Sequence, residues 1–565
     1  MLLYTNNFNL DSDCEITEIN FSMYKIQLSN DEFVYEDEKV ITIFFNYKYG
    51  STEQFEKYVD SMEICDMFYG VFSVLQINKN TNEIQVINDA MGFSQIFYYF
   101  NGTGLIISNF MSYFRQFAFN ITRNDEYYYD YILSSYSRER LALAYNTPFC
   151  EIKRIIAGSV FRYDKNTINQ FQWWSIDNIC YKNRFNSYRK ASKHLDKVLS
   201  RITNDIRATN KNILLLLSAG IDSNLLLHTF KRFNLGNRIV ALTFMTTNDK
   251  LDEAWDAERS AKEAGVKKII KIDREFNTIG ECKKAFGLPN EPSIQLLFNK
   301  KIEKLREICH KENCQMIIDG EGGDHLFEIR YEYIKDYAMK NRYFKLMALN
   351  LFWNNKEVSF KRVINYLSSK MNFSIKRSNP IPKWLRPNKK LIEVYEKREK
   401  QICKLNGDYY KKELNCSIRK SLYTSSDITH WGCEIKYVSP LFDRELIEFV
   451  AQTPASILWP NGISKGLIRK YGRKFMPSYI IEKQEKRNTP GEMRRMINNA
   501  FDIIAQEFMN YIQNDKTILK NQLLETLNSY SYETTKIGDD FDALNRYLAI
   551  NRYYTIYCLN RQTAN

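Results

Sequence analysis

Residues 211–230 read KNILLLLSAGIDSNLLLHTF, and the rest of the chain is organised around them. The apolar run 213–217 breaks into Ser218-Ala219-Gly220-Ile221-Asp222-Ser223, and apolar spacing resumes at Leu225, Leu226 and Leu227. That pattern predicts a buried parallel strand, a tight small-residue turn and a helix. Such a turn presents unpaired backbone N–H groups, those of Ala219 to Ser223, at a helix N-terminus. Small side chains let a polyanion approach them, and the helix dipole favours its charge. The hexapeptide by itself also fits a Ser-capped helix after a strand. A Walker A loop is excluded, because the turn has no GxxxxGK[ST] pattern and no Lys. Asp222 is better placed to hold a divalent cation bridging phosphates than to touch them itself.

The hexapeptide resembles the pyrophosphate-binding SGGxDS loop of the ATP-pyrophosphatase superfamily, with Ala219 where Gly is usual. A second stretch, CQMIIDGEGGDHLF at 314–327, repeats the logic: an apolar strand, then Gly320-Glu321-Gly322-Gly323-Asp324. A glycine-rich turn carrying two carboxylates is costly unless something uses them. It is similar to the GEGxDE signature of asparagine synthetases and their relatives, the β-lactam synthetases and lasso peptide cyclases. That resemblance implies Mg²⁺ shared by Asp222 and Asp324, and Glu321 as a base beside an acyl-adenylate. His325 stands where the family has Glu; a neutral imidazole is no substitute for a hard-cation carboxylate, and the expectation is that it packs on Leu326 and Phe327.

Two further stretches follow in family order. VSPLFDRELIEFV (438–450), with Glu434 ahead of it, resembles the E-x-R-x-PFLDxxLxEF segment, a helix start capped by Asp443. NGISKGLIRKYGRKFMPSYIIEKQEKRNTPGE resembles the K-x-LLR region, in which Lys465 matches the Lys that holds the phosphates. Upstream, IVALTFMTT, LDEAWDAERSAKEAGV and KKIIKI read as strand, helix and strand, with Gly265 ending the helix. Strands alternating with helices predict a doubly wound parallel sheet with its ligand at the carboxyl ends of the strands. Leu216 and the strand end around Phe244 are then expected to flank adenine. Asp252-Glu253 resembles the acidic pair of the family.

From Glu38 the chain is rich in short β-branched and aromatic runs, including VITIFF, FSVLQIN, EIQVIN, QIFYYF and GLIIS, which predict a sandwich of antiparallel sheets. Residues 70–100 resemble the class II glutamine amidotransferase domain, with Asp89, Gly92 and Tyr98-Tyr99 on its pattern. Gly158 and Trp173-Trp174 resemble the hairpin that closes this domain in asparagine synthetases. Working members use an N-terminal Cys; Leu2 stands at that position here and the first Cys is Cys14, so hydrolysis of glutamine is not expected. Residues 177–189 read as a linker. The expected organisation is therefore two domains: 1–185, a degenerate amidotransferase-like α+β domain, and 186–565, an α/β synthetase domain of the adenine nucleotide α-hydrolase kind with added helices.

The 565 residues suffice for two cores, and 44% hydrophobic with 26% charged residues is ordinary for a globular protein. No apolar run spans a bilayer and no signal peptide is read, so a cytoplasmic protein with no membrane partner is expected. The 11 Cys and 5 His do not cluster into a zinc or disulfide pattern. The net charge of +13 concentrates in residues 331–420, with 22 Lys/Arg against 8 Asp/Glu, a surface suited to a peptide, to ATP or to solvent.

The resemblance implies ATP and Mg²⁺ as cofactors and amide formation through an acyl-adenylate. The basic region and the 14% aromatic content favour a peptide, hence lasso-type macrolactam formation with a leader peptidase and a leader-binding protein as partners. The alternative is an ammonia-dependent asparagine synthetase or another small-molecule amide or β-lactam synthetase. Nucleic acid is not expected, and a non-catalytic scaffold would have lost Asp222, Asp324 or Lys465.

Overall fold

In the computed structural model the run 213–217 lies at the centre of a five-stranded parallel sheet. In chain order the elements around it are α1 (Tyr188–Arg207), β1 (Asn212–Leu216), α2 (Ile221–Arg232), β2 (Ile239–Met245), α3 (Ala254–Glu263), β3 (Lys268–Asp273) and α4 (Asn299–Lys311). Next come β4 (Cys314–Ile318), α5 (Gly323–Phe327), β5 (Lys436–Val438), α6 (Arg444–Ala451) and α7 (Gly466–Gly472). The structure describes residues 1–5, 17–21, 23–28, 33–45, 61–117, 120–133, 146–175, 178–179, 184–207, 211–245, 253–273, 290–292, 299–328, 381–404, 435–460, 463–483, 515–530 and 539–562. Most of the basic region 331–420, Cys14, Asp252, Glu434 and the segment from 484 to 514 lie outside them.

The sheet order is β3-β2-β1-β4-β5, with every pair parallel. Alternate residues of β1 serve opposite faces, as a pleat requires. Ile213, Leu215 and Leu217 join α1, α2, α3, α6 and α7 in one core, while Leu214 and Leu216 face α4 in another. Each fully buried aliphatic side chain contributes about 1.5–3 kcal/mol, so both faces must be covered, and helices cover both. Gly265, at φ +80°, ends α3 as its position predicts. Asp443 caps α6, its carboxylate accepting from the backbone N–H of Glu445 at 3.0 Å.

The N-terminal part holds two six-stranded antiparallel sheets. Val40–Phe45, Ser73–Asn78, Ile84–Asn88, Phe97–Phe100 and Leu105–Ser108 are strands as expected. Their apolar faces share one core, in which Leu3, Ile26 and Ile107 of one sheet meet Ile43, Leu75 and Phe161 of the other. Four strands before Glu38 were not foreseen: Leu2–Thr5, Thr17–Phe21, Tyr24–Leu28 and Phe33–Glu36. They are four or five residues long, and the first is placed by pairing with Leu105–Ser108, a contact that no local pattern announces. The motif residues shape turns. Asp89 accepts backbone N–H bonds from Met91, Phe93 and Ser94, while burial pushes its carboxyl up to about 6 against those bonds. Gly158, at φ +60°, leaves no room for a Cβ beside the carbonyl of Trp174.

The two parts touch through named contacts. Arg444 of α6 donates to the carbonyl of Cys65 at 2.7 Å, Trp174 donates to Glu448 at 2.8 Å, and Phe93 meets Phe442 with ring centroids 5.5 Å apart. Glu291 pairs with Arg154, both buried. The helix Asp125–Leu133 of the N-terminal part packs with Lys389–Lys404 and Asp539–Gln562 in a separate aromatic core. The aromatic faces read in the C-terminal tail are used, with Tyr547 buried in this core and Tyr553 in a neighbouring cluster with Leu2, Tyr4 and Phe149. Among the described residues no helix is long and apolar enough to cross a membrane.

Candidate active site

The strand order reverses between β1 and β4, and the loops leaving their carboxyl ends therefore lie side by side at the switch point. These are 217–221 and 319–322, the two motif stretches. The glycines of the second are explained by how closely it approaches the first. A Cβ on Gly320 would stand 2.7 Å from the backbone N of Ser223, and one on Gly323 would overlap the Asp222 carboxylate. Gly322, at φ +99°, packs on the backbone of Leu441. Only residues without a Cβ let the two turns nest.

Lys465 enters from the opposite side. Its backbone takes the left-handed conformation at φ +56°, which disfavours any side chain by about 1–2 kcal/mol. It is held there by its N–H donating to the carbonyl of Phe327 at 3.1 Å, an oxygen that also accepts from Trp459 Nε1 at 2.8 Å. The ammonium donates to both Asp222 and Asp324. Burial pulls the ammonium down, and the two carboxylates more than offset it, leaving its pKa above the ordinary lysine value. Thus three expected residues, from positions 222, 324 and 465, meet at one point. Asp222 proves to be buried within the first turn of α2, rather than an exposed loop ligand, while about one-third of the Asp324 side chain is exposed. Among the described residues no group of three His, Cys, Asp or Glu forms a metal cage. Two carboxylates reaching one cation do fit Mg²⁺, which takes one or two carboxylates and completes its shell with water and phosphate oxygens.

The first loop is cross-braced. Ser218 N–H donates to Ser223 Oγ at 3.2 Å and Gly220 N–H to Ser218 Oγ at 3.1 Å. The helix begins at Gly220 with no side-chain cap, so a Ser-capped start is not what forms. Asn224 donates to the carbonyls of Ser218 (2.9 Å) and Gly220 (2.7 Å), and its Oδ1 accepts from Ser260 at 2.5 Å. Ser260 spends its one proton there, so His228 Nε2, 2.9 Å away, is the donor to it. Asn224, Ser260 and His228 went unread in the sequence; an Asn closing the motif on the buried side of α2 was the available signal. Leu216 and Phe244, half-buried at adjacent strand ends, lie on one side of the sheet together, as an adenine site would need.

Glu321 is exposed at the mouth and is held from two directions. Its N–H donates to Asp319 Oδ1 at 3.1 Å, and its carboxylate Oε1 bonds His325 Nε2 at 3.0 Å. Burial of the carboxylate beneath the loop pushes Asp319 up to about 6, opposed by Tyr437, whose hydroxyl donates to it at 2.6 Å. Beyond the packing expected of it, His325 stacks its ring on Phe442, with centroids 5.4 Å apart and planes at 27°, and turns a nitrogen toward Glu321.

Microcin J25-processing protein McjC of Escherichia coli is 28% identical over 151 residues, which is 26% of this chain and 28% of that protein's length. The U34-tRNA thiolase NcsA of Methanococcus maripaludis is 14% identical, with a TM-score of 0.20 over 42% of this chain and 80% of its own. The NH₃-dependent NAD synthetase of Campylobacter jejuni is also 14% identical, with a TM-score of 0.19 over 38% and 94%. The asparagine synthase family matches residues 194–534, more than half of the chain and a span that contains both loops and Lys465, and the protein belongs to that family.

Proposed function

We propose that the protein is an ATP-dependent, AMP-forming amide ligase that closes a macrolactam in a ribosomal peptide of the lasso type. The observation that carries the reaction class is the meeting of Asp222, Asp324 and Lys465 over two nested loops at the sheet's switch point. On this reading residues 1–185 are a degenerate amidotransferase-like domain and 186–565 the synthetase. On the same reading nitrogen comes from an amine of the substrate rather than from glutamine. A relative named for processing microcin J25, and the basic region, favour a peptide substrate.

A carboxylate cannot expel oxide; attack on the α-phosphate of ATP converts it to an acyl-AMP and releases pyrophosphate, lowering the barrier to amide formation. Backbone N–H groups of Ala219, Ile221 and Ser223 receive the phosphates at the start of α2, with Ser218 and Gly220 shaping the edge of the loop, and Leu216 and Phe244 border the adenine. Asp222 and Asp324 would hold Mg²⁺, which when bound draws negative charge off the phosphates. The Lys465 ammonium, beside both carboxylates, pairs with phosphate and with the oxyanion at the acyl centre. Glu321, beside Gly320 and open to the mouth, accepts the proton of the attacking amine as the C–N bond forms and AMP leaves.

The test separates the half-reactions. Glu321→Gln is expected to retain substrate-dependent exchange of pyrophosphate into ATP while amide formation falls about 10²–10⁴-fold, the usual loss with a positioned base. Lys465→Ala loses both. Exchange driven by free aspartate and not by a peptide with an internal Asp or Glu would turn the assignment to a small-molecule synthetase. No exchange with any carboxylate would refute the reaction class.

A further inference from the structure

The N-terminal sandwich has no assigned task in an amide ligase that uses no glutamine, yet it reaches the acceptor side of the active site through a run of packed rings. The Asp89 turn fixes Phe93 by its backbone N–H, at 3.2 Å. Phe93 is 6% exposed and meets Phe442, 3% exposed, at 5.5 Å between centroids. Phe442 also stacks on His325, at 5.4 Å between centroids, whose side chain is 12% exposed and whose Nε2 lies 3.0 Å from Glu321 Oε1. Glu321 itself is 44% exposed. An ionised carboxylate can only accept, so the proton lies on Nε2 and the imidazole donates.

We propose that His325 is a positioning residue for Glu321, and that the amidotransferase-like domain serves the reaction by bracing His325 through Phe93 and Phe442. An exposed glutamate on a glycine-rich turn has three free side-chain torsions. A hydrogen bond from a ring stacked on a packed phenylalanine narrows that freedom and helps to aim the carboxylate at the incoming amine. Errors of about 1 Å in such placement cost up to about 10²-fold. His325 acts through Glu321, so its effect belongs to the second half-reaction alone. The proposal rests on the amide-forming reading above, and its test is arranged to fail separately from it.

The full-length protein is assayed with a peptide carrying a free α-amine and an internal Asp or Glu. Three readouts are taken: pyrophosphate exchange, capture of the acyl-adenylate by hydroxylamine, which is largely unprotonated at neutral pH and needs no base, and peptide amide formation. His325→Ala is expected to lower amide formation about 10–100-fold while exchange and hydroxamate stay at the wild-type level. His325→Gln, which keeps a donor, is expected to recover most of the loss, and Phe93→Leu to show a smaller loss of the same kind.

An unchanged partition in His325→Ala, a proportional fall in all three readouts, or a Gln variant no better than Ala overturns the positioning role. Wild-type behaviour of Phe93→Leu overturns the bracing role. Absence of exchange in the wild type refutes instead the reaction class. Should His325→Ala not fold, ¹⁵N-histidine spectra of the wild type decide. The His325 signal, identified by its loss in His325→Gln, is expected in the Nε2–H tautomer and displaced by Glu321→Gln. An Nδ1–H tautomer, or indifference to Glu321→Gln, overturns the proposal.

Discussion

Replacing Lys465 by Met removes a buried ammonium that two carboxylates share and keeps nearly the same volume, so the change is electrostatic rather than steric. Asp222 is 8% exposed and would be left without its cation in a poorly solvated site. Stranding one member of a buried pair costs about 3–5 kcal/mol, and solvent screening of the partly exposed Asp324 places this case near about 3 kcal/mol. Urea unfolding followed by tryptophan fluorescence measures it, since Trp459 is anchored to the same Phe327 carbonyl as the Lys465 backbone.

Adding Asp222→Asn to Lys465→Met removes the stranded charge and should restore part of the loss, with a coupling of about 1–3 kcal/mol. Mg²⁺ should stabilise Lys465→Met more than the wild type, because a second cation can take the vacated place. The pH dependence has a definite sign. A lysine whose folded pKa is raised contributes fully below its unfolded value of 10.5 and loses that contribution as pH rises through the folded value. The difference between variant and wild type is therefore flat from neutral pH to about 9 and shrinks only above about 10.5. A Lys465→Met variant within about 0.5 kcal/mol of wild type, or a double variant less stable than the single, would refute the reasoning.

Gly323→Ala places a methyl against the Asp222 carboxylate; stability should fall by about 1–3 kcal/mol and pyrophosphate exchange with it, and retention of full exchange would show that the turns need not nest so closely. Asn224→Ala removes the shorter side-chain hydrogen bonds to the Ser218 and Gly220 carbonyls, leaving Ser223 Oγ at 3.3 and 3.4 Å, and should weaken ATP binding about tenfold by calorimetry, one hydrogen bond of about 1–1.5 kcal/mol being enough. His228 is held neutral, with burial and then Lys231 lowering its pKa to about 4. The unfolded chain then binds the extra proton between pH 6.5 and 4, so stability falls as pH drops through that window, by about 3 kcal/mol. His228→Gln should lack this component, and an acid unfolding profile identical to wild type would disprove it.

The sequence alone determined the local features: strands where apolar runs end in small residues, the turns of Gly265 and Gly158, the cap at Asp443, and the two glycine-bearing loops that carry Asp222 and Asp324. Each is encoded by residue type and near-neighbour spacing, because backbone conformation and burial periodicity are short-range properties. The tertiary structure decided what distance in sequence hides. Strand Leu2–Thr5 exists because Leu105–Ser108 lies beside it, and the glycines at 320 and 323 are needed because the other loop passes within contact. Lys465 reaches two aspartates 243 and 141 positions away only from a left-handed backbone that no propensity for Lys suggests. His325, read as packing on its own neighbours, is turned by α5 onto Phe442 and Glu321. The direction a side chain takes depends on the helix that carries it and on the surfaces that helix meets, and those surfaces come from segments that the local sequence does not contain.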